Sequence, residues 1–127
     1  MASEVLSVSH TAGVTNSESV LLNGVNGHTY TILSIFITET AGAAETVDLY
    51  IDDGGGGTDY ELLSDQAVGA NETFELTTKF VIEATDHLCA ATASSAAVHT
   101  VVSYLDQTLY EYLWVALLHK IFLIVLD

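Results

Sequence analysis

The chain has 127 residues, half of them apolar, and sets seventeen acids against two bases, Lys79 and Lys120, for a formal net charge of −15. A chain of that length and apolar content is one globular domain that buries roughly 65% of its unfolded surface, which argues against disorder. The charge nearly excludes binding nucleic acid through phosphates, which takes clustered Lys and Arg, and it disfavours an anionic membrane surface.

The acidity reads first as a soluble, self-repelling surface. A high-salt habitat or a basic surface on a partner would suit it as well. One cysteine, Cys89, makes no intramolecular disulfide, so the redox compartment is not legible. Met1-Ala-Ser-Glu has no basic start and no apolar run after it, so no N-terminal signal peptide is expected. With no proline in the chain, turns fall to Gly, Asn, Asp and Ser.

In chain order, Glu4 to Ser9 is a first strand and His10 to Asn16 is turn-like. Ser19 to Leu22 is a short second strand, closed by Asn23-Gly24 and Asn26-Gly27, pairs that tolerate positive φ. His28 to Thr40 is the longest strand pattern. Tyr30 and Ile32 lie on one parity, Leu33, Ile35 and Ile37 on the other, so a bulge or burial on both faces is expected at Ile32-Leu33. Ala41 to Ala44 is a turn. Glu45 to Asp52 alternates, with Val47, Leu49 and Ile51 expected inward and Thr46, Asp48 and Tyr50 outward. Asp53 to Thr58 carries four consecutive glycines and reads as a flexible loop tip. Asp59 to Leu63 returns as a strand, and Ser64 to Ala70 reads as a second loop.

Asn71 to Leu105 declares the sheet most clearly. Four short strands are expected there. Phe74 and Leu76 alternate with Glu75 and Thr77, Leu88, Ala90 and Thr92 with Cys89, Ala91 and Ala93, and Val98, Thr100, Val102 and Tyr104 with His99, Val101, Ser103 and Leu105. Eight or nine short strands at roughly 8–12-residue spacing are the signature of an antiparallel sandwich or jelly roll.

Thr108 to Asp127 changes character. Thr108-Leu-Tyr-Glu111 matches a capping box, and Tyr110, Trp114, Leu117, Leu118, Ile121 and Val125 fall near one helical face. The end of the segment, Ile121 to Leu126, suits helix or strand. Glu111, His119 and Lys120 interrupt the apolar runs, so packing on the chain's own sandwich or on a neighbouring subunit is the better reading than a membrane span. The expected division is a sandwich domain at 1–107 and an apolar assembly segment at 108–127, with those six side chains as the interface.

Sites of chemistry are sparse. None of the five histidines sits at a zinc-motif spacing, and Cys89 has no cysteine partner. His87 and Cys89 share one strand face, as a metal pair or as an edge histidine beside a small buried thiol. Asp52, Asp53 and Asp59 flank the glycine loop and could hold calcium, against a plain solvated loop tip. The glycines lack the Lys-Ser/Thr and the strand-to-helix step of a phosphate loop, and no nucleophile elbow occurs. Tyr50, Tyr60 and Tyr104 could stack sugars. No catalytic residue, cofactor-binding motif or metal set is assigned, and an enzyme ranks last.

The succession YTILSIFITET, ETVDLYIDDG, YELLSDQAVGANETFEL, FVIEATDHL and VHTVVSYLD, over about Thr29 to Asp106, resembles the small β-sandwich virion proteins of tailed bacteriophages and related viruses. The resemblance implies a structural role, as a head decoration (cement) protein or another head or tail component assembled in many copies. It implies location in the virion, with the major capsid protein among the partners, and it supplies no catalytic residues. Two features depart from the pattern: the apolar tail after Asp106, and Ala84-Thr85-Asp86 where a tight Gly-Asp turn is expected. The fold expected is an all-β antiparallel sandwich, jelly-roll-like, with a C-terminal apolar helical segment. The function expected is a viral structural protein that binds the shell and its own copies. The alternative is an adhesion or glycan-binding module.

Overall fold

The computed structural model describes residues 3–54, 57–94, 97–108 and 117–121. Nine strands make up almost all of it: β1 (Ser3–Val14), β2 (Ser19–Asn23), β3 (His28–Glu39), β4 (Glu45–Asp53), β5 (Asp59–Val68), β6 (Thr73–Leu76), β7 (Phe80–Glu83), β8 (Asp86–Thr92) and β9 (Val98–Thr108). Every pairing is antiparallel. One sheet runs β1-β9-β3-β6 with β7 also on β3, and the other runs β2-β8-β4-β5. If β6 and β7 count as one interrupted strand, the first strand pairs with the last and the second with the second-last. The third then pairs with β6/β7 and the fourth with the fifth. Successive pairs alternate between the sheets, and this nested order is a jelly roll.

The core lies between the sheets. Ile32, Ile35, Ile37, Val98 and Val102 come from the first sheet, and Leu21, Val47, Leu49, Leu88 and Ala90 from the second, all buried. Each large aliphatic chain contributes about 1.5–3 kcal/mol on burial. The alternation expected across Val98 to Val102 is observed, whereas across Leu88 to Thr92 it is broken at Cys89, which is buried together with Leu88 and Ala90.

The parity switch in β3 is a bulge. Ile32 pairs with Tyr104 and Ser34 with Ser103, so Leu33 is the extra residue. Its carbonyl accepts from Lys79 Nζ at 2.9 Å, which supplies a donor where the ladder skips.

Several expectations change. Residues 10–14, expected as part of a turn, are strand, because β1 stays paired with β9 as far as Val14 across an irregularity between Thr11 and Val14. Residues 64–68 are strand, because β5 continues to Val68 through two irregularities against β4. Asp65 takes φ 50° there, and its N–H donates to Asp48 Oδ1 at 2.7 Å. Ile51 is only half-buried, whereas Tyr50 and Asp52 are buried although they belong to the outward parity. Thr108, the expected helix cap, is the last residue of β9, with its hydroxyl bonded to that of Ser3, and the rest of the expected capping box lies outside the described residues. Helix is described only at residues 117–121. Among the described residues, no helix is long and apolar enough to cross a membrane.

Candidate functional site

The two outer faces of the sandwich differ in chemistry. On the first sheet, register places Leu6 beside Leu105, then Thr31, then Val81; a parallel row runs His10, Val101, Phe36. Leu6 is 75% exposed, and Val8, Phe36 and Val81 are exposed too. The carboxylates of this face, Glu4, Glu75 and Glu83, sit at its rim. Strand geometry produces the patch directly, since apolar residues placed on the outward parity of β1, β3, β7 and β9 must face away from the core.

The second sheet's outer face is acidic. Glu18, Asp52 and Asp59 each bring a carboxylate oxygen within 4.8 Å of the others. With Val20, Asn23, Gly57 and His87 they line a shallow cleft of about 450 Å³. Asp52 is buried and the other two acids are exposed. Of the acids expected around the glycine loop, Asp52 and Asp59 meet here, whereas Asp53 lies outside the cluster and Glu18 takes its place. Glu18 precedes β2, far from the loop in sequence, and only the pairing of β8 with both β2 and β4 brings it near.

Polar groups around this cleft hold one another. Tyr50 Oη donates to Glu18 Oε2 at 2.7 Å. Burial, followed by that bond and the Glu18 charge, pushes the phenol well above its ordinary range. His87 Nδ1 and Asn23 Oδ1 are 2.7 Å apart. Cys89 is fully buried. Burial first, and then Glu18, Asp52 and Asp59, push its thiol up to about 12. Its sulfur lies 3.8 Å from the His87 carbonyl oxygen, and its full burial is that of a small core side chain. Neither residue belongs to the carboxylate cluster.

The three tyrosines that could stack sugars differ in exposure. Tyr50 is buried and Tyr60 is exposed. Tyr104 packs edge-on against Tyr30, ring centroids 5.0 Å apart.

Of the six expected interface residues, Leu117, Leu118 and Ile121 are exposed on the turn of helix at 117–121. Tyr110, Trp114 and Val125 lie outside the described residues. The root of this segment is firmly placed. At the end of β9, His28 Nδ1 and Asp106 Oδ1 are 2.8 Å apart, and Gln107 Nε2 donates to Glu4 Oε1 at 3.0 Å.

No family model and no curated protein sequence matches the chain. Solved structures match its fold. A chain from the acidic stable capsid of Helicobacter pylori bacteriophage KHP30 superposes with a TM-score of 0.53 at 10% identity, over 84% of this chain and 92% of that one. A chain from the disulfide-linked pili that form Bacillus endospore appendages superposes with a TM-score of 0.51 at 14% identity, over 85% and 90%. A chain of the infectious bursal disease virus Gx strain gives 0.50 at 11% identity, over 83% of this chain and 32% of that one. The chain thus shares its β-sandwich fold with viral capsid and pilus proteins.

Proposed function

We propose that this chain is a structural protein of a virion, a capsid decoration (cement) protein or another head or tail component, which binds the shell and its own copies and catalyses nothing. The observation that carries the reading is the uncovered apolar surface. A chain of net charge −15 keeps a carboxylate-poor face and an exposed apolar turn at Leu117, Leu118 and Ile121. Contiguous exposed apolar area of this kind marks an interaction surface. The capsid fold supports the reading at the level of architecture. Partners would be further copies and other virion proteins such as the major capsid protein, with neither nucleic acid nor membrane among them.

A subunit of an extracellular filament is the second reading, favoured by the pilus chain that superposes over nearly its whole length. Particles from the source, banded by density and analysed by quantitative mass spectrometry, decide between them. The virion reading expects this chain in the particle band at a fixed ratio to the major shell protein. Recovery from shed filaments, or from the soluble fraction alone, overturns it.

A further inference from the structure

Among the described residues, two of the uncovered apolar surfaces bear on assembly. One is the outer face of the first sheet, broad and gently twisted, centred on Leu6, Val8, Val101 and Phe36. The other is the convex turn at 117–121. Each is exposed with the whole chain present, so the chain's own sandwich does not bury the turn.

We infer that the turn at 117–121 of one copy docks on the outer face of the β1-β9-β3 sheet of a second copy, in a head-to-tail contact. This deepens the self-assembly proposed above and rests on it.

A second copy fits as the occupant through local charge complementarity, although the chains repel overall. Two chains of −15 repel through their acidic faces, so contact between copies is favoured where carboxylates are fewest, and on the sandwich that is the first sheet's outer face. Lys120 supplies the complement. It lies within the exposed turn and has no hydrogen-bond or ion-pair partner among the described residues. Lys79, the other lysine, is already committed to the carbonyls of Leu33 and Thr77. The acceptor face is rimmed by Glu4, Glu75 and Glu83. A cation inside an apolar turn therefore meets a carboxylate border around an apolar centre, which fixes orientation as well as contact.

The root of the segment agrees with this. Thr108 pairs with Ser3 of the edge strand β1, so the chain leaves the sandwich at the border of the same sheet that would receive a neighbour's turn. Because donor and acceptor are different surfaces, each copy offers one of each. Such heterologous contacts close into rings or run on as filaments.

The test uses two single variants of the full chain, Val8→Cys and Leu118→Cys, mixed one to one and oxidised. Cys89 is buried and stays silent. The mixed disulfide between copies is expected to exceed either homodimer several-fold. Leu6→Glu and Leu118→Glu, each with an unchanged circular-dichroism spectrum, are expected to shift sedimentation toward the monomer. A dominant disulfide between two Val8→Cys chains overturns the contact, because it makes the sheet face two-fold. A disulfide within one chain carrying both substitutions, at high dilution, also overturns it, because the turn would then cover its own sheet. An oligomer that yields none of these cross-links sinks this contact and leaves self-assembly standing. A wild-type chain that is monomeric at every concentration sinks both.

Discussion

Glu39 shows what one carboxylate does for the loops of this sandwich. It is buried at the end of β3, where Oε1 accepts from the Ala41 amide at 2.7 Å and Oε2 from the amides of Gly42 and Asn71, each at 2.9 Å. Asn71 takes φ 58°, so the bond to its amide locks an otherwise unfavourable backbone. The Asn71 amide above all, against the opposing effect of burial, holds the Glu39 carboxyl below its ordinary 4.5, with Ala41, Gly42 and Ala43 adding to it. Folding therefore favours the ionised form. The stability it contributes is complete above pH 4.5 and drains away as pH falls through the depressed folded value. Glu39→Gln should melt several degrees below wild type at pH 7, and the gap should close as the pH is lowered below 4.5 in parallel thermal melts. A gap independent of pH would mean that shape and not charge organises these turns. Ala84 is the converse case. The resemblance to virion proteins implied a tight Gly-Asp turn where Ala84-Thr85-Asp86 stands, and Ala84 takes φ 49°. Ala84→Gly should relieve about 1 kcal/mol of left-handed strain, raising the melting temperature by a few degrees. The stretch Ala84-Thr85-Asp86 drew attention because a turn type demands a residue type. Glu39 did not, because a glutamate at a strand end looks the same whether it caps two loops or points into water.

Among the elements, strands were legible where alternation was clean and lost where a bulge broke it. Residues 80–83, 86–92 and 98–105 announced themselves, and the Leu33 bulge could be placed because large apolar residues change parity around it. The continuation of β5 to Val68 could not. Ser64, Asp65 and Gly69 are turn formers by composition, and the irregularity at Asp65 erases the period that would have overruled them. Here tertiary pairing with β4 outweighs local preference. Gly24 is a subtler element-scale feature. Its amide donates to the Asp86 carbonyl at 2.7 Å, tying the end of β2 to the start of β8. A Cβ at that position would lie 2.5 Å from the Ala84 carbonyl oxygen and 2.6 Å from that of Asp86. Both are backbone atoms, so neither can swing aside. Gly24→Ala should cost about 1–3 kcal/mol by overpacking, read as a lower denaturation midpoint at unchanged slope in urea. The Asn23-Gly24 pair was noticed for its turn propensity, yet close approach of two chain segments is what requires the glycine. The carboxylate cleft is hidden for the same reason, because Glu18 joins Asp52 and Asp59 through pairings between strands remote in sequence.

For the molecule as a whole, periodicity reports which face a residue occupies and stays silent on which strand lies beside it. The nested order that pairs Ser3 with Thr108 is therefore invisible to local pattern, although it fixes where every surface ends up. That order segregates the exterior, placing Glu18, Asp52 and Asp59 on one sheet and Leu6, Val8 and Phe36 on the other. With seventeen acids and two bases, copies brought together on the apolar side still repel through the remainder of their surface. The Debye length falls from about 10 Å at 0.1 M salt to about 3 Å at 1 M, which removes most repulsion between exposed charges. Apolar burial is not weakened by the same change. Raising NaCl from 0.1 to 1 M should therefore shift sedimentation toward larger species and raise the melting temperature by several degrees. Dissociation with salt would instead mean that ion pairs, such as Lys120 with a rim carboxylate, supply most of the contact. Calcium at matched ionic strength provides the control. General screening predicts the same shift with either cation, whereas an excess with calcium that disappears in Asp59→Asn would assign the effect to the acidic cleft. Screening acts on all the acids together, so no single neutralisation should reproduce the shift produced by salt.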